Sequence, residues 1–347
     1  MSRPHILVMY NHPTLSEDHP DALAEHSVID HARHVQDVLS AAGYRASLFS
    51  LREDPQMLVA ELRRSRPDAV FNLYEGSYLN GETEAFVAGI MEWLRLPFTG
   101  SSFQSLSLAL SKHLTKQLLM GAGLPTPEFM IVRDMPAPRC TIPWPVIVKP
   151  ARFDASVGLD QGSVVTNQRQ LQDRVARVLE EYGSPALVEE FIDGREFNVA
   201  LMEDPELRPL PPAEIVFEDG YDGWPILTYA AKWHTDTDEC RLSPPRCPAE
   251  ISTRLQEKIE DLAMRAFRLL GCRDYARVDF RVRPSGKPMI LEVNPNPDIS
   301  TGAGFDRCLQ TLGLNIADFY VSLARRALER DPGRTAVPSG NLVAMSS

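Results

Sequence analysis

The chain opens on an apolar run, Ile6-Leu-Val-Met-Tyr10, which reads as a buried strand. Residues 23–42 then place apolar positions at helical spacing, up to a stop at Gly43. The pattern repeats. Residues 45–51 read as a strand, 56–64 as a helix and 69–73 as a strand, and a helix over 83–94 leads to a closing strand at 96–100. Such βαβ alternation predicts a parallel sheet with flanking helices. Open parallel sheets bind ligands beyond the carboxyl ends of their strands, so residues 11–21 and 74–82 are expected at a substrate mouth.

The pattern then changes. A helix is expected over 105–122, closed by Gly121, Gly123 and Pro125. Strands follow at 129–132 and 145–149, then a loop of polar and small residues at 152–158. A helix at 171–182 leads to strands at 186–191 and 196–202, with a domain boundary near 183–185. Further strands are expected at 214–218 and 228–232, then a connection rich in Pro and Cys, and helices at 251–270 and 316–330. The expected organisation is a mixed α/β chain of three domains (1–104, 105–184 and 185–330) and a loose tail, 331–347, of small and polar residues.

Between the last two helices, residues 275–298 carry the strongest pattern. They read as two strands joined at Ser285-Gly286, next to Pro284. A two-residue loop would oppose Asp279 to Glu292 and Arg277 to Asn294 on one face. Val278 and Val293, Phe280 and Leu291, and Val282 and Met289 would pair on the other. The polar face suits a hard divalent cation, since Mg²⁺ takes one or two carboxylates together with phosphate oxygens and water. A solvated polar face is the bland alternative. The opposed acids, the uniformly apolar far face and the stiff Pro-Asn-Pro-Asp that follows count against it.

Composition bounds the rest. An apolar fraction of 44% and a charged fraction of 24% describe an ordinary globular protein. A net charge of −11 argues against nucleic acid and anionic membranes as partners, since both need basic surface. The five scattered cysteines form no CxxC pair, which fits a reducing cytoplasm, and no run is long enough to span a bilayer. Six of the eight histidines lie before position 35. His26, Asp30 and His34 share a helix face, yet no further ligand completes a metal set there.

Three further stretches carry candidate chemistry. Lys149 ends an apolar strand beside the 152–158 loop, a setting in which an amine and backbone N–H groups can hold polyphosphate. Residues 187–196 end a strand in acids, Glu189 and Glu190, followed by Phe191, Ile192 and Glu196, which can face an adenine and a ribose. Lys232, within an expected apolar strand, needs a partner such as a phosphate. Taken singly, Lys149 reads more readily as a solvated strand end and the acids as a surface turn, while Lys232 reads equally as an ion-paired structural lysine.

In this order the stretches resemble the ATP-grasp superfamily, and within it the D-alanine–D-alanine ligases, from about Val70 to Tyr320. The matching segments include Glu92-Trp-Leu-Arg-Leu-Pro-Phe-Thr-Gly-Ser101, Ser111-Lys-His-Leu-Thr-Lys116, Pro145-Val-Ile-Val-Lys-Pro-Ala-Arg152, Ser156-Val-Gly158, Val188-Glu-Glu190, Gly194-Arg-Glu-Phe197, Ala231-Lys232, Cys247-Pro-Ala249, and Arg277-Val-Asp279 with Glu292-Val-Asn294. The resemblance implies a Rossmann-like first domain and two domains clasping ATP. It implies that Lys112 and Lys149 hold ATP phosphates, with Ser156 in the phosphate loop. Glu189, Glu190, Phe191 and Ile192 would line the adenine, Glu196 would take the ribose, and Lys232 would approach the γ-phosphate. Asp279, Glu292 and Asn294 would ligate two Mg²⁺ ions (or Mn²⁺), and Arg277 would stabilise a tetrahedral intermediate.

The chain departs from that family where substrates are read. Its first loop is Asn11-His-Pro-Thr-Leu-Ser-Glu17, with Glu25 as a replacement carboxylate. Ala155 and Ser156 stand for two serines, and Trp233 for a tyrosine. Asp298 stands for a glycine, and Ala303 or Thr301 for a substrate-binding serine. The implied activity is an ATP-dependent carboxylate–amine ligase, D-alanine–D-alanine ligase-like, or a ligase of other amino acids. A nucleotide-binding module without catalysis is the rival from another class. Small-molecule substrates are the expected partners, with a homodimer as the alternative to a monomer.

Overall fold

The structure is a computed structural model that describes residues 3–13, 22–52, 54–77, 81–153, 156–233 and 237–330. The expected tail and parts of both substrate-mouth loops, 14–21 and 78–80, lie outside the described residues. The first unit runs β1 (His5–Asn11), α1 (Ala22–Ala41), β2 (Arg45–Leu51), α2 (Pro55–Ser65), β3 (Ala69–Leu73), α3 (Glu82–Trp93), α4 (Phe103–Leu110) and α5 (Lys112–Gly121). Its strands form a parallel sheet in the order β2-β1-β3. The expected closing strand at 96–100 reduces to one parallel bridge, Val70 to Phe98.

The helix expected over 105–122 is broken at Ser111, where φ −90° and ψ 82° leave the helical region. Hydrogen bonds absorb the break. Thr115 Oγ1 donates to the Leu108 carbonyl (2.7 Å), and Lys112 N donates to the Ala151 carbonyl (3.2 Å). The break starts α5 afresh, with Lys112 in its first turn and Lys112 and Lys116 one turn apart on one face.

The second unit contains β4 (Phe129–Val132), β5 (Val146–Pro150), β6 (Val164–Val165), α6 (Gln168–Tyr182) and β7 (Ala186–Glu190), paired antiparallel in the order β4-β7-β5-β6. The boundary expected near 183–185 falls inside this sheet, because β7 runs between β4 and β5. Pairing across the sheet, not the Gly-Ser-Pro sequence, sets its membership.

The third unit follows with β8 (Arg195–Glu203), β9 (Leu207–Pro209), β10 (Ala213–Ile215), α7 (Tyr229–Trp233), α8 (Asp238–Arg241), β11 (Pro245–Arg246), α9 (Thr253–Leu270), β12 (Tyr275–Val282), β13 (Pro288–Asn294), α10 (Gly304–Thr311) and α11 (Ile316–Glu329). Its antiparallel sheet has the order β11-β10-β8-β12-β13, with β9 on β8. α9 lays its apolar stripe (Ile259, Leu262, Ala263, Ala266, Phe267) against Val199, Val278 and Phe280. α11 returns to the first unit, packing Tyr320 and Leu323 with Ile6, Val8 and Phe71. Arg326 and Arg330 meet the fully buried Asp274, which also accepts from Gly100 N (2.9 Å).

Two local expectations fail for identifiable reasons. Residues 229–233 form the helical turn α7, not a strand. The Thr228 hydroxyl accepts from Ala231 N (3.0 Å), capping a turn that Thr-Tyr-Ala-Ala could equally extend. The β12–β13 loop holds three residues, Pro284-Ser285-Gly286, with Gly286 at φ 77° and its N–H donated to the Arg283 carbonyl (2.8 Å). That shifts the register by one, so Phe280 pairs with Ile290 and Val282 with Pro288. An irregularity after Asp279 leaves Leu291 as the extra residue and restores Asp279 to Glu292 and Arg277 to Asn294.

Candidate active site

Residues of the two antiparallel sheets line one cleft. Lys112, Lys149, Ser156, Glu189, Glu190, Phe191, Ile192, Glu196, Lys232, Arg277, Asp279 and Glu292 all line it, and Asn294 adjoins through Asp279. One end is apolar: Ile147, Phe191 and Ile226 pack together, and Trp224 meets Phe191 edge-on at 5.2 Å. The other end is charged.

The charged end has two layers. In the deeper one Glu189, 1% exposed, lies between Lys149 (2.5 Å) and the fully buried Lys116. Burial works against the Glu189 charge, but the two ammonium groups outweigh it and hold its carboxyl below the usual range. Burial pulls Lys116 down to about 8, with Glu189 opposing. Lys116 Nζ also donates to Thr126 Oγ1 (2.8 Å), which donates to the Ile290 carbonyl (2.8 Å) and so ties α5 to β13. The side chain expected along an adenine therefore spends its charge on two lysines.

The outer layer is the face shared by β12 and β13. Arg277 grips Asp279 through two bonds, 2.7 and 2.8 Å, and Asn294 Nδ2 donates to Asp279 (3.1 Å) and Glu292 (3.4 Å). Lys112 Nζ lies 3.5 Å from Glu292 and donates to the Phe153 carbonyl (2.6 Å). Burial works against the Glu292 charge, yet Lys112, Lys149 and Arg277 hold its carboxyl well below the usual range. Burial pushes Asp279 up, against Arg277. Burial, with Arg277 nearby, lowers Lys232. The donor set is all oxygen once the Asn294 amide turns its Oδ1 inward, a choice of rotamer rather than of fold. Two carboxylates and an amide fit a hard cation that also takes phosphate oxygens. Among the described residues no group of three or more His, Cys, Asp or Glu is placed to hold a metal.

The remaining acids are paired. Arg281 bonds Glu196 Oε2 (2.7 and 3.1 Å), and Arg283 bonds both oxygens of Glu190 (2.7 and 2.6 Å). The loop carrying Ser156 is anchored at its base by Arg174. Its guanidinium donates to the Gly158 carbonyl (2.5 Å), Ser163 Oγ (2.7 Å) and Asp160 (2.9 Å). Gly158, at φ 74°, admits no side chain, because a Cβ there would sit 2.8 Å from Pro150 Cγ. Ala155 lies outside the described residues.

Beyond the charged end, at the carboxyl end of β3, stands Glu75. Asn11 fixes its backbone: Glu75 N donates to Asn11 Oδ1 (2.8 Å) and Asn11 Nδ2 to the Gly76 carbonyl (2.5 Å). The residue is exposed, yet desolvation by the atoms around its carboxyl, with Asp298 nearby, raises that carboxyl to about 7, and Lys232 opposes. Sequence reasoning missed Lys116, Arg281 and Glu75. Lys116 was visible as the i+4 partner of Lys112, and Arg281 as the next residue on the Arg277–Asp279 face. Glu75 falls within the 74–82 segment expected at the substrate mouth, but no pattern there singles it out.

The family described as D-ala D-ala ligase C-terminus matches residues 118–325. The D-alanine–D-alanine ligase of Desulforudis audaxviator is 33% identical over 304 residues, 86% of this chain and 92% of that one. An uncharacterized protein of Sinorhizobium fredii is 39% identical over 246 residues, 70% of each chain. A crystal structure of the D-alanine–D-alanine ligase from Bacillus anthracis complexed with ATP aligns over 95% of this chain and 98% of that one. Its TM-score of 0.75 at 21% identity marks a common fold. Fold and kinship together define an ATP-dependent ligase of the ATP-grasp class. Within that class, the chain belongs to the D-alanine–D-alanine ligase family.

Proposed function

We propose that this ligase joins a carboxylate to an amine through an acyl phosphate. The observation that carries the reading is the convergence of Lys112, Lys149, Lys232, Arg277, Asp279 and Glu292 on one cleft with an apolar end. A purine fits the end walled by Ile147, Phe191 and Ile226, with Glu196 towards its ribose, and the triphosphate runs to the lysines. A substrate carboxylate oxygen attacks the γ-phosphorus and ADP leaves. The amine nitrogen then attacks the acyl carbon, phosphate leaves, and an amide remains. Asp279, Glu292 and Asn294 would hold Mg²⁺, two ions in all, which offsets repulsion between the nucleophile and the triphosphate.

The protein's own residues do the rest. Lys112 and Lys149 hold phosphate oxygens, and Lys232 meets the transferring group. Arg277, already oriented by Asp279, neutralises the oxyanion that forms at the acyl carbon. The 152–158 loop excludes water, which would otherwise hydrolyse the acyl phosphate.

The relatives include D-alanine–D-alanine ligases, so D-alanine is the first substrate to offer. Glu75 and Asp298 favour a second reading, a ligase of other amino acids, since both add negative charge at the substrate end. The test offers Mg·ATP and pairs of amino acids, following ADP, phosphate and condensed product. Amino-acid-dependent phosphate with an amide product supports the reading. ATP binding with no amino-acid-stimulated turnover in any pair would leave a binding module instead.

Glu75 gives that activity a pH signature. Its carboxyl is neutral below about 7 and charged above it. If it receives the ammonium of a substrate, the KM for that amino acid rises as pH falls through about 7. The expected change is about tenfold, the worth of one charge-assisted hydrogen bond. Glu75→Gln should show the higher KM at every pH, with no titration near neutrality. A pH profile identical in parent and variant would remove Glu75 from the substrate site.

A further inference from the structure

Two of the five cysteines meet outside the cleft. Cys247, in the segment between β11 and α9, and Cys308, in α10, place their sulfurs 3.4 Å apart, and both are free thiols. Cys308 is 1% exposed and Cys247 is half-buried, so a reagent meets Cys247 first. The Cys308 thiol, the Thr311 hydroxyl (3.8 Å from Cys247 Sγ) and the Arg307 charge together favour a thiolate on Cys247 over one on Cys308. An accessible nucleophilic thiol with a buried partner in contact has the layout of an attacking and a resolving cysteine.

We propose that Cys247 and Cys308 form a reversible oxidation site that closes to a disulfide. The oxidant is a peroxide. The Cys247 thiolate attacks one peroxide oxygen, the O–O bond breaks, and with one proton taken up the products are a sulfenic acid and water. Cys308 sulfur then attacks Cys247 sulfur. The S–O bond breaks, the hydroxyl leaves as water with the Cys308 proton, and the S–S bond remains. Two thiols are oxidised and one peroxide is reduced. The two sulfurs are already in contact at 3.4 Å, and closing the bond brings them to about 2 Å.

The bridge acts on a sensitive place. α10 begins where the loop after Asn294 ends, and it holds that loop: Asp306 accepts from Gly302 N (2.7 Å), and Arg307 Nη1 donates to the Gly302 carbonyl (2.5 Å). Tying Cys308 to Cys247 fixes this helix to the segment ahead of α9, while the Cys247 site itself takes no part in the proposed chemistry.

The test treats the full chain with hydrogen peroxide, blocks remaining thiols and maps linked peptides by mass spectrometry. A 247–308 link is expected, with the loss of two hydrogen atoms from the intact mass and full recovery of both thiols in dithiothreitol. Cys247→Ser should abolish the link, and Cys308→Ser should instead leave a trappable sulfenic acid at Cys247. Peroxide that leaves both thiols intact, or drives Cys247 to sulfinic acid with Cys308 still reduced in the parent chain, overturns the proposal. The mapping reads the thiols alone, so it stands apart from the reaction proposed for the cleft.

Discussion

Asp279→Asn and Glu292→Gln are each expected to lower turnover by about a thousandfold or more, while the protein stays folded and keeps its apolar nucleotide end. Removing one preorganised charge-stabilising group from an active site costs about 10²–10³ in rate, and in the proposed reaction both residues would hold the cation while Asp279 also orients Arg277. Asp279 orients the Arg277 guanidinium through two bonds, and Glu292 is the acid that Lys112 and Lys149 hold charged. The variants should differ in detail. Asp279→Asn loses the arginine clamp and the cation together. Glu292→Gln leaves the clamp and should respond to raised metal concentration. Steady-state assays over a metal titration separate the two, and near-parental rates in either variant would sink the assignment of this face to metal and phosphate.

The largest expected effect on stability lies one layer deeper. Lys116→Met should destabilise the fold by about 3 kcal/mol, the lower end for breaking a buried pair, because Lys149 still faces Glu189. A buried carboxylate left with one of its two ammonium partners, rather than a lost lysine contact, makes up most of that cost. Replacing Glu189 as well, in Lys116→Met/Glu189→Leu, should therefore recover much of the loss. Function follows the same logic. With Lys116 gone, Glu189 draws more of the charge of Lys149, and the KM for ATP should rise. Denaturant unfolding of the parent and both variants checks this. A single variant within about 0.5 kcal/mol of the parent, as for an exposed lysine, would show that the pair carries no such weight.

Much of this was legible in the sequence, and the failures are informative. The parallel start was visible because fully apolar strands such as Ile6-Leu-Val-Met-Tyr10 alternate with amphipathic helices. The shared polar face was visible because period-two alternation puts Arg277 and Asp279 on one side of β12, wherever the turn lies. The wrong turn length misplaced only the outer pairs, since the extra residue at Leu291 restored the register where the acids stand. Position 232 was harder. Thr-Tyr-Ala-Ala-Lys suits strand and helix alike, and a single hydroxyl cap decided for α7. The place of β7 in its sheet and the triad of Lys116, Glu189 and Lys149 depend on pairing between distant segments. Local pattern carries no trace of such contacts.

The measurement that bears most directly on the proposed reaction follows oxygen. With a substrate amino acid labelled with ¹⁸O in its carboxylate, an acyl-phosphate route sends one labelled oxygen into each phosphate released, since the carboxylate oxygen that attacks the γ-phosphorus departs with it. That transfer is the expected result, with ADP and amide formed in equal amounts. Unlabelled phosphate, or label found in AMP, would contradict it.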